Sequence, residues 1–204
     1  VWWSEQAATG PVAESIMGGH YIDLFPSTGP ITGFISANIA DTKGVLLVFK
    51  ARATHYIGGQ YPSWESGTLH TSAGCAGPSL AQVPPDGSVV WYGSRTFWIM
   101  DRNGVVRDIG GPVRKRLQKV NHSRVHMGIS WTDRETREVV FCLPMEDSNV
   151  PNVQWVWDYI ASGWRLKTGL SVTGGALSLP DANLTLVAGA ATFASSGTQS
   201  VQRH

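Results

Sequence analysis

Residues 86–104 read DGSVVWYGSRTFWIMDRNG, two short apolar runs at 88–92 and 96–101 set around Gly93-Ser94-Arg95. β-branched and aromatic runs joined by a small-residue linker predict a hairpin. Asp101-Arg102-Asn103-Gly104 follows, and Asn-Gly favours positive φ, so a third strand is expected over 105–109. Such a ribbon cannot bury Trp91, Tyr92, Phe97 and Trp98 alone. Burial is worth about 25 cal/mol per Å² of apolar area, so the hairpin is expected to pack on another sheet, with Val90, Trp91, Phe97 and Trp98 in a β core.

The unit recurs. GVLLVFKARATHYIGGQ, at 44–60, is an apolar run, a small or basic turn and a second run ending in Gly-Gly. A later copy pairs 138–143 with 153–159 and turns at Ser162-Gly163-Trp164, and a faint fourth lies in 183–188 and 191–194. Starts near Gly44, Gly87, Glu138 and Asn183 are spaced close to the roughly 40–50 residues of a propeller blade. The fold class read from this pattern is all-β, with propeller-like repeats of antiparallel hairpins of about 45 residues. At that period the 204 residues hold only about four to five blades, fewer than a ring of six or more needs. Residues 1–204 are therefore read as one β-propeller domain or, since the chain opens Val1-Trp2-Trp3 without methionine, as part of a larger propeller.

Composition agrees with a turn-rich β body: 23 glycines and 9 tryptophans accompany only 15% charged residues. No stretch of 18 apolar residues is present to span a bilayer, and 1–10 lacks a basic segment followed by an apolar core. Sixteen basic against fifteen acidic side chains leave a net charge of +1, which argues against the whole surface binding nucleic acid. Charge is concentrated in one place. Between Asp108 and Asp133 no acidic residue occurs, while Arg114, Lys115, Arg116, Lys119, His122, Arg124 and His126 do. The basic connecting segment 112–124 reads either as a solvated loop or as a surface facing phosphate or an acidic neighbouring subunit. Arg114, Lys115, Arg116, Lys119 and Arg124 are the channel or interface candidates.

Catalytic constellations are weak. Asp101, Asp108, Asp133, Glu135 and Glu138 offer carboxylate pairs of the kind glycosidases use, but any chain of this length offers such pairs. His122 and His126 are spaced for metal binding on a helix, whereas a strand is expected over 125–131, where that spacing separates the side chains. Cys75 and Cys142 define no disulfide framework, and Cys142, inside VVFCL, reads as a small buried hydrophobe. The paired tryptophans fill a sheet core or, exposed, stack on sugars. Neither an enzyme nor a metal or cofactor site is expected.

The order LLVF (46–49), YIGG (56–59), GCAGPS (74–79), VVWY (89–92), FWIMD (97–101) and IG (109–110) resembles the β-propeller tail nozzle, or tail hub, proteins of short-tailed bacteriophages. WDY at 157–159 and the Gly163-Trp164 turn extend the resemblance, which covers roughly residues 33–167. These are patterns of apolar and turn residues. The weak C-terminal copy and the short chain depart from the family's full ring. The resemblance implies a structural virion protein assembled in the host cytoplasm. It implies a homo-oligomeric ring of identical subunits, below the portal and adaptor proteins, whose channel conducts genomic DNA during ejection. A carbohydrate- or receptor-binding propeller is the alternative.

Overall fold

The computed structural model describes residues 2–3, 20–21, 29–39, 43–60 and 63–169. The chain is all-β: β1 (Trp2–Trp3) and β2 (His20–Tyr21) form a short antiparallel pair, and three four-stranded antiparallel sheets follow. The first sheet holds β3 (Ile31–Ile39), β4 (Lys43–Lys50), β5 (Thr54–Gln60) and β6 (Ser63–His70). The second holds β7 (Ala81–Gln82), β8 (Val89–Gly93), β9 (Thr96–Met100) and β10 (Val106–Asp108). The third holds β11 (Ile129–Asp133), β12 (Glu138–Leu143), β13 (Val153–Asp158) and β14 (Gly163–Thr168). In every sheet the strands pair in chain order, as short antiparallel connections require.

The hairpins read from the sequence are the two central strands of each sheet: β4 with β5, β8 with β9, and β12 with β13. Central strands are covered on both faces and carry the strongest apolar signal, whereas edge strands such as β6, SWESGTLH, carry almost none. The faint fourth copy at 183–194 lies outside the described residues.

Two local readings are corrected. The linker of the opening hairpin is Ser94-Arg95, with φ of 50° and 67°, while Gly93 stays in β8 opposite Thr96. Gly93 is there because a Cβ would fall 1.8 Å from the Gly74 carbonyl oxygen. The strand expected over 125–131 starts only at Ile129, because residues 125–127 close a 3₁₀ turn through Gly128 N–H to the Val125 carbonyl at 2.9 Å.

One apolar core joins all three sheets, drawing on Leu47 and Phe49, then Trp91, Tyr92 and Phe97, then Phe141 and Trp155. Val90, Trp91 and Phe97 are fully buried and Trp98 is partly buried. The second sheet lies between the others. Phe49 meets Trp91 with ring centroids 5.3 Å apart on one side, and Phe97 meets Phe141 at 5.0 Å and Trp164 at 4.3 Å on the other. The first strands gather, since β7 lies against both β3 and β11. Gln82 on β7 ties that edge by donating from Nε2 to the Ser130 carbonyl at 2.9 Å.

Candidate functional site

The basic segment is the connection from β10, the last strand of the second sheet, to β11, the first strand of the third. Its exit is fixed by Asp108, whose Oδ1 accepts from Thr96 Oγ1 and from Gly110 N–H, both at 2.7 Å. Gly110 has no room for a side chain, because a Cβ would sit 2.2 Å from Thr96 Oγ1. Pro112 then enters a 3₁₀ turn, Gly111–Val113, at a position where its missing N–H and fixed φ suit a helix start. One helical turn follows, α1 (Arg114–Leu117), anchored by buried Leu117 with Arg114, Lys115 and Arg116 exposed.

Beyond α1 the chain is strapped across the β12–β13 loop. Glu146 N–H donates to the Lys119 carbonyl at 2.6 Å, Val120 bridges Met145, and Asn121 N–H donates to the Pro144 carbonyl at 2.9 Å.

The five candidate cations separate by partner. Arg114 pairs with Asp108 at 2.5 Å and Lys119 with Glu146 at 2.9 Å, both at the surface. Lys115, Arg116 and Arg124 are exposed and have no acidic partner among the described residues. Lys115 and Arg116 border a cleft of about 400 Å³ between the connecting segment and the third sheet, whereas Arg114, Lys119 and Arg124 do not line it. Pro112, Val113 and Leu166 supply apolar walls, and Trp155 and Trp164 supply indole rings. Arg165 also borders the cleft, but its guanidinium pairs with buried Glu138 on the face of the third sheet opposite Trp155 and Trp164. Sequence reasoning missed Arg165. It lies on β14, far along the chain from the acid-free window, and only the register of β14 on β13 brings it near α1.

Trp164 is held from several directions. Its ring stacks on Phe97 and lies 4.9 Å from Trp157, and its Nε1 donates to the Ile109 carbonyl at 2.9 Å. Trp155 is fully buried, and its Nε1–H has no acceptor among the described residues.

Three more of the carboxylates singled out in the sequence have partners within the fold. Asp101 Oδ1 accepts from Asn103 and Val105 N–H in the turn before β10, Asp133 Oδ1 accepts from Glu135 and Thr136 N–H, and Glu138 pairs with Arg165. Partial desolvation, then the Arg95 guanidinium, hold His122 below the usual imidazole value, and His126 stands exposed on the 3₁₀ turn. No group of three or more His, Cys, Asp or Glu is placed to hold a metal among the described residues. Cys75 and Cys142 are free and buried, and burial pushes both thiols up to about 12. No helix among the described residues is long and apolar enough to cross a membrane. No protein-family model matches the chain, and no curated protein matches it.

Proposed function

We propose that the chain is a structural subunit of a short-tailed phage tail. In this reading its three sheets are successive blades of a β-propeller, and identical subunits form a ring that conducts the genome during ejection. The observation that carries the reading is the gathering of first strands, with β7 against both β3 and β11, while aromatic seams join the sheet faces. Sheets stacked face to face with their first strands converging are how propeller blades protect their edges, and the product is a rigid block suited to a tube wall. The sequence resemblance to tail nozzle proteins points the same way. Its partners are then further copies of itself, portal-adaptor proteins and, transiently, genomic DNA. The segment 112–124 crosses between blades at the surface, where it is available to a neighbour.

The test is assembly by the full-length chain. Mass photometry and electron microscopy should show closed rings of uniform stoichiometry with an axial channel, and antibodies to the chain should label purified particles at the tail. A full-length protein that stays monomeric at micromolar concentration and is absent from virions overturns the proposal.

A further inference from the structure

We propose that the face of the first sheet turned away from the second is the docking surface for the chain's own residues 1–28, the segment that leads into β3. The inference does not depend on ring assembly, because surface and segment belong to one polypeptide.

Strand register defines the face. Val48 on β4 lies opposite Phe34 on β3 and His55 on β5, Leu46 lies opposite Ile57, and two residues beyond Ile57 Gly59 lies opposite Trp64 on β6. Alternation along each strand therefore puts Phe34, Leu46, Val48, Ile57 and Trp64 on one side of the sheet. The other side is already covered, since Phe49 packs on Trp91 of the second sheet. Leu46, Val48 and Ile57 form an apolar cluster that includes no residue of the second or third sheet. At its borders Phe34 is 70% exposed and Trp64 42%. A continuous apolar face with exposed aromatic rings at its borders marks an interaction surface.

The third sheet shows how a face is finished against water in the same fold. Its outward side also holds a small apolar cluster, around Cys142, but Asp133, Glu138, Asp158, Arg165 and Lys167 share that side with it. On the outward side of the first sheet, Lys50 is the one Lys, Arg, Asp or Glu. The first sheet thus lacks the charges that suit its counterpart to solvent.

Residues 1–28 have the chemistry to cover it. They contain Trp2, Trp3, Tyr21 and Phe25 together with Glu5, Glu14 and Asp23, and they contain no Lys or Arg. Such a segment supplies apolar surface for the cluster and brings only opposite charge toward Lys50. Reach agrees. The eight residues from Tyr21 to Gly29 extend at most about 28 Å, more than the roughly 15 Å between the outer strands of a four-stranded sheet. The β1–β2 ribbon is therefore tethered within range of the whole face, and an isolated two-stranded ribbon needs an apolar surface to become stable. Residues 170–204 are the poorer occupant, because they leave from the end of β14 on the third sheet and offer a single aromatic ring, Phe193.

The experiment replaces Phe34 by the photo-cross-linker p-benzoylphenylalanine in the full-length chain, with the same replacement of Lys167 on the third sheet as the control. Irradiation followed by peptide mass spectrometry should join the Phe34 site to residues 1–28 within one polypeptide, at monomer size on a denaturing gel, whereas the Lys167 site should not reach that segment. Phe34→Glu sets a carboxylate on the face against an acidic segment, and should speed amide exchange in residues 1–28 at least roughly tenfold while leaving β8 and β12 as protected as before. If Phe34→Glu fails to fold, the cross-link decides alone. A cross-link from the Phe34 site to a second copy, to residues 170–204 or to nothing overturns the proposal, and so does exchange in residues 1–28 that Phe34→Glu leaves unchanged.

Discussion

The second sheet has two seams, and they are built differently. Toward the third sheet it presents side chains: Phe97 lies within ring-contact distance of Phe141, Trp155 and Trp164. Toward the first sheet, backbone runs between the strands. Cys75 N–H donates to the Lys50 carbonyl at 3.1 Å, Ala76 N–H to the Tyr92 carbonyl at 2.9 Å, and Trp91 Nε1 to the Gly74 carbonyl at 3.2 Å. One seam is a mosaic of rings that can shift against each other. The other sets a main-chain contact beside the Phe49–Trp91 ring pair, and at Gly74 that contact admits no side chain, since a Cβ there would fall 2.3 Å from the Lys50 carbonyl oxygen. Tolerance to substitution should therefore differ more between the seams than their burial suggests.

The most severe way to break that comparison is one methyl group in the backbone seam. Gly93→Ala places a carbon 1.8 Å from the Gly74 oxygen, and the neighbour is main chain held by hydrogen bonds on both sides. A loss of about 4 kcal/mol or more is expected, enough to remove the soluble folded protein at 37 °C. Soluble yield and thermal unfolding check it. In the aromatic seam, Phe97→Ala should cost about 3–5 kcal/mol and Phe97→Leu less than half of that, because neighbouring rings can close on the smaller side chain. A Phe97/Trp164 double-mutant cycle should return a coupling of about 0.5–1.5 kcal/mol for the stack itself.

Sequence reading located the middle of each sheet and lost the edges, for a physical reason. VVWYG in β8 and EVVFCL in β12 are buried on both faces, so their apolar runs declare themselves. β7 is two residues long and β14, GWRLKT, alternates weakly, so neither rises above a turn in pattern terms. The candidate site was legible by half. The acid-free window announces Lys115 and Arg116, whereas the indoles of Trp155 and Trp164 come beside them only through the packing of the third sheet on the connecting segment. Nothing in the window separates Arg114 and Lys119 from Lys115 and Arg116, because their partners Asp108 and Glu146 depend on how the chain is routed.

A smaller effect sharpens the comparison through pH. Cys75 sits in the backbone seam, where its Sγ–H donates to the Gly77 carbonyl at 3.1 Å, while Cys142 belongs to a separate apolar cluster with Val140 and Val156 in the third sheet. Burial raises both thiols to about 12 in the folded protein, from an ordinary value of 9.0. A raised thiol favours the neutral form in the fold. Its contribution is therefore complete below about pH 9, where unfolded thiols are also neutral, and is lost as pH rises toward 12. Urea unfolding should give a lower midpoint at pH 10.5 than at pH 7.5, with part of the difference removed by Cys75→Ala. At pH 8 neither thiol should react with a disulfide reagent until the protein is unfolded.

The smallest effects belong to the surface of the connecting segment, and they separate an ion pair from the carboxylate that makes it. Arg114 and Asp108 lie 2.5 Å apart, with the arginine side chain 63% exposed, so solvent screens most of the attraction. Arg114→Ala should cost no more than about 0.5 kcal/mol, and Lys119→Ala, whose partner Glu146 is equally open to water, about the same. Asp108 does more than pair. Its Oδ1 accepts the Thr96 hydroxyl and the Gly110 N–H, holding the end of β10 against the start of β9 and aiming the chain into α1. Asp108→Ala strands both donors and should cost about 1–3 kcal/mol, while Asp108→Asn keeps an acceptor oxygen and should fall between the alanine variant and wild type. Unfolding at low and at 0.5 M salt distinguishes the contributions. The Arg114 effect should fade with salt, and the greater part of the Asp108 effect should remain, because hydrogen bonds to Thr96 and Gly110 are local and hardly screened. Equal, salt-sensitive losses for Arg114→Ala and Asp108→Ala would mean that the ion pair positions α1. Unequal losses mean that the carboxylate does, leaving Lys115 and Arg116 to face the cleft on a support that owes nothing to their own charge.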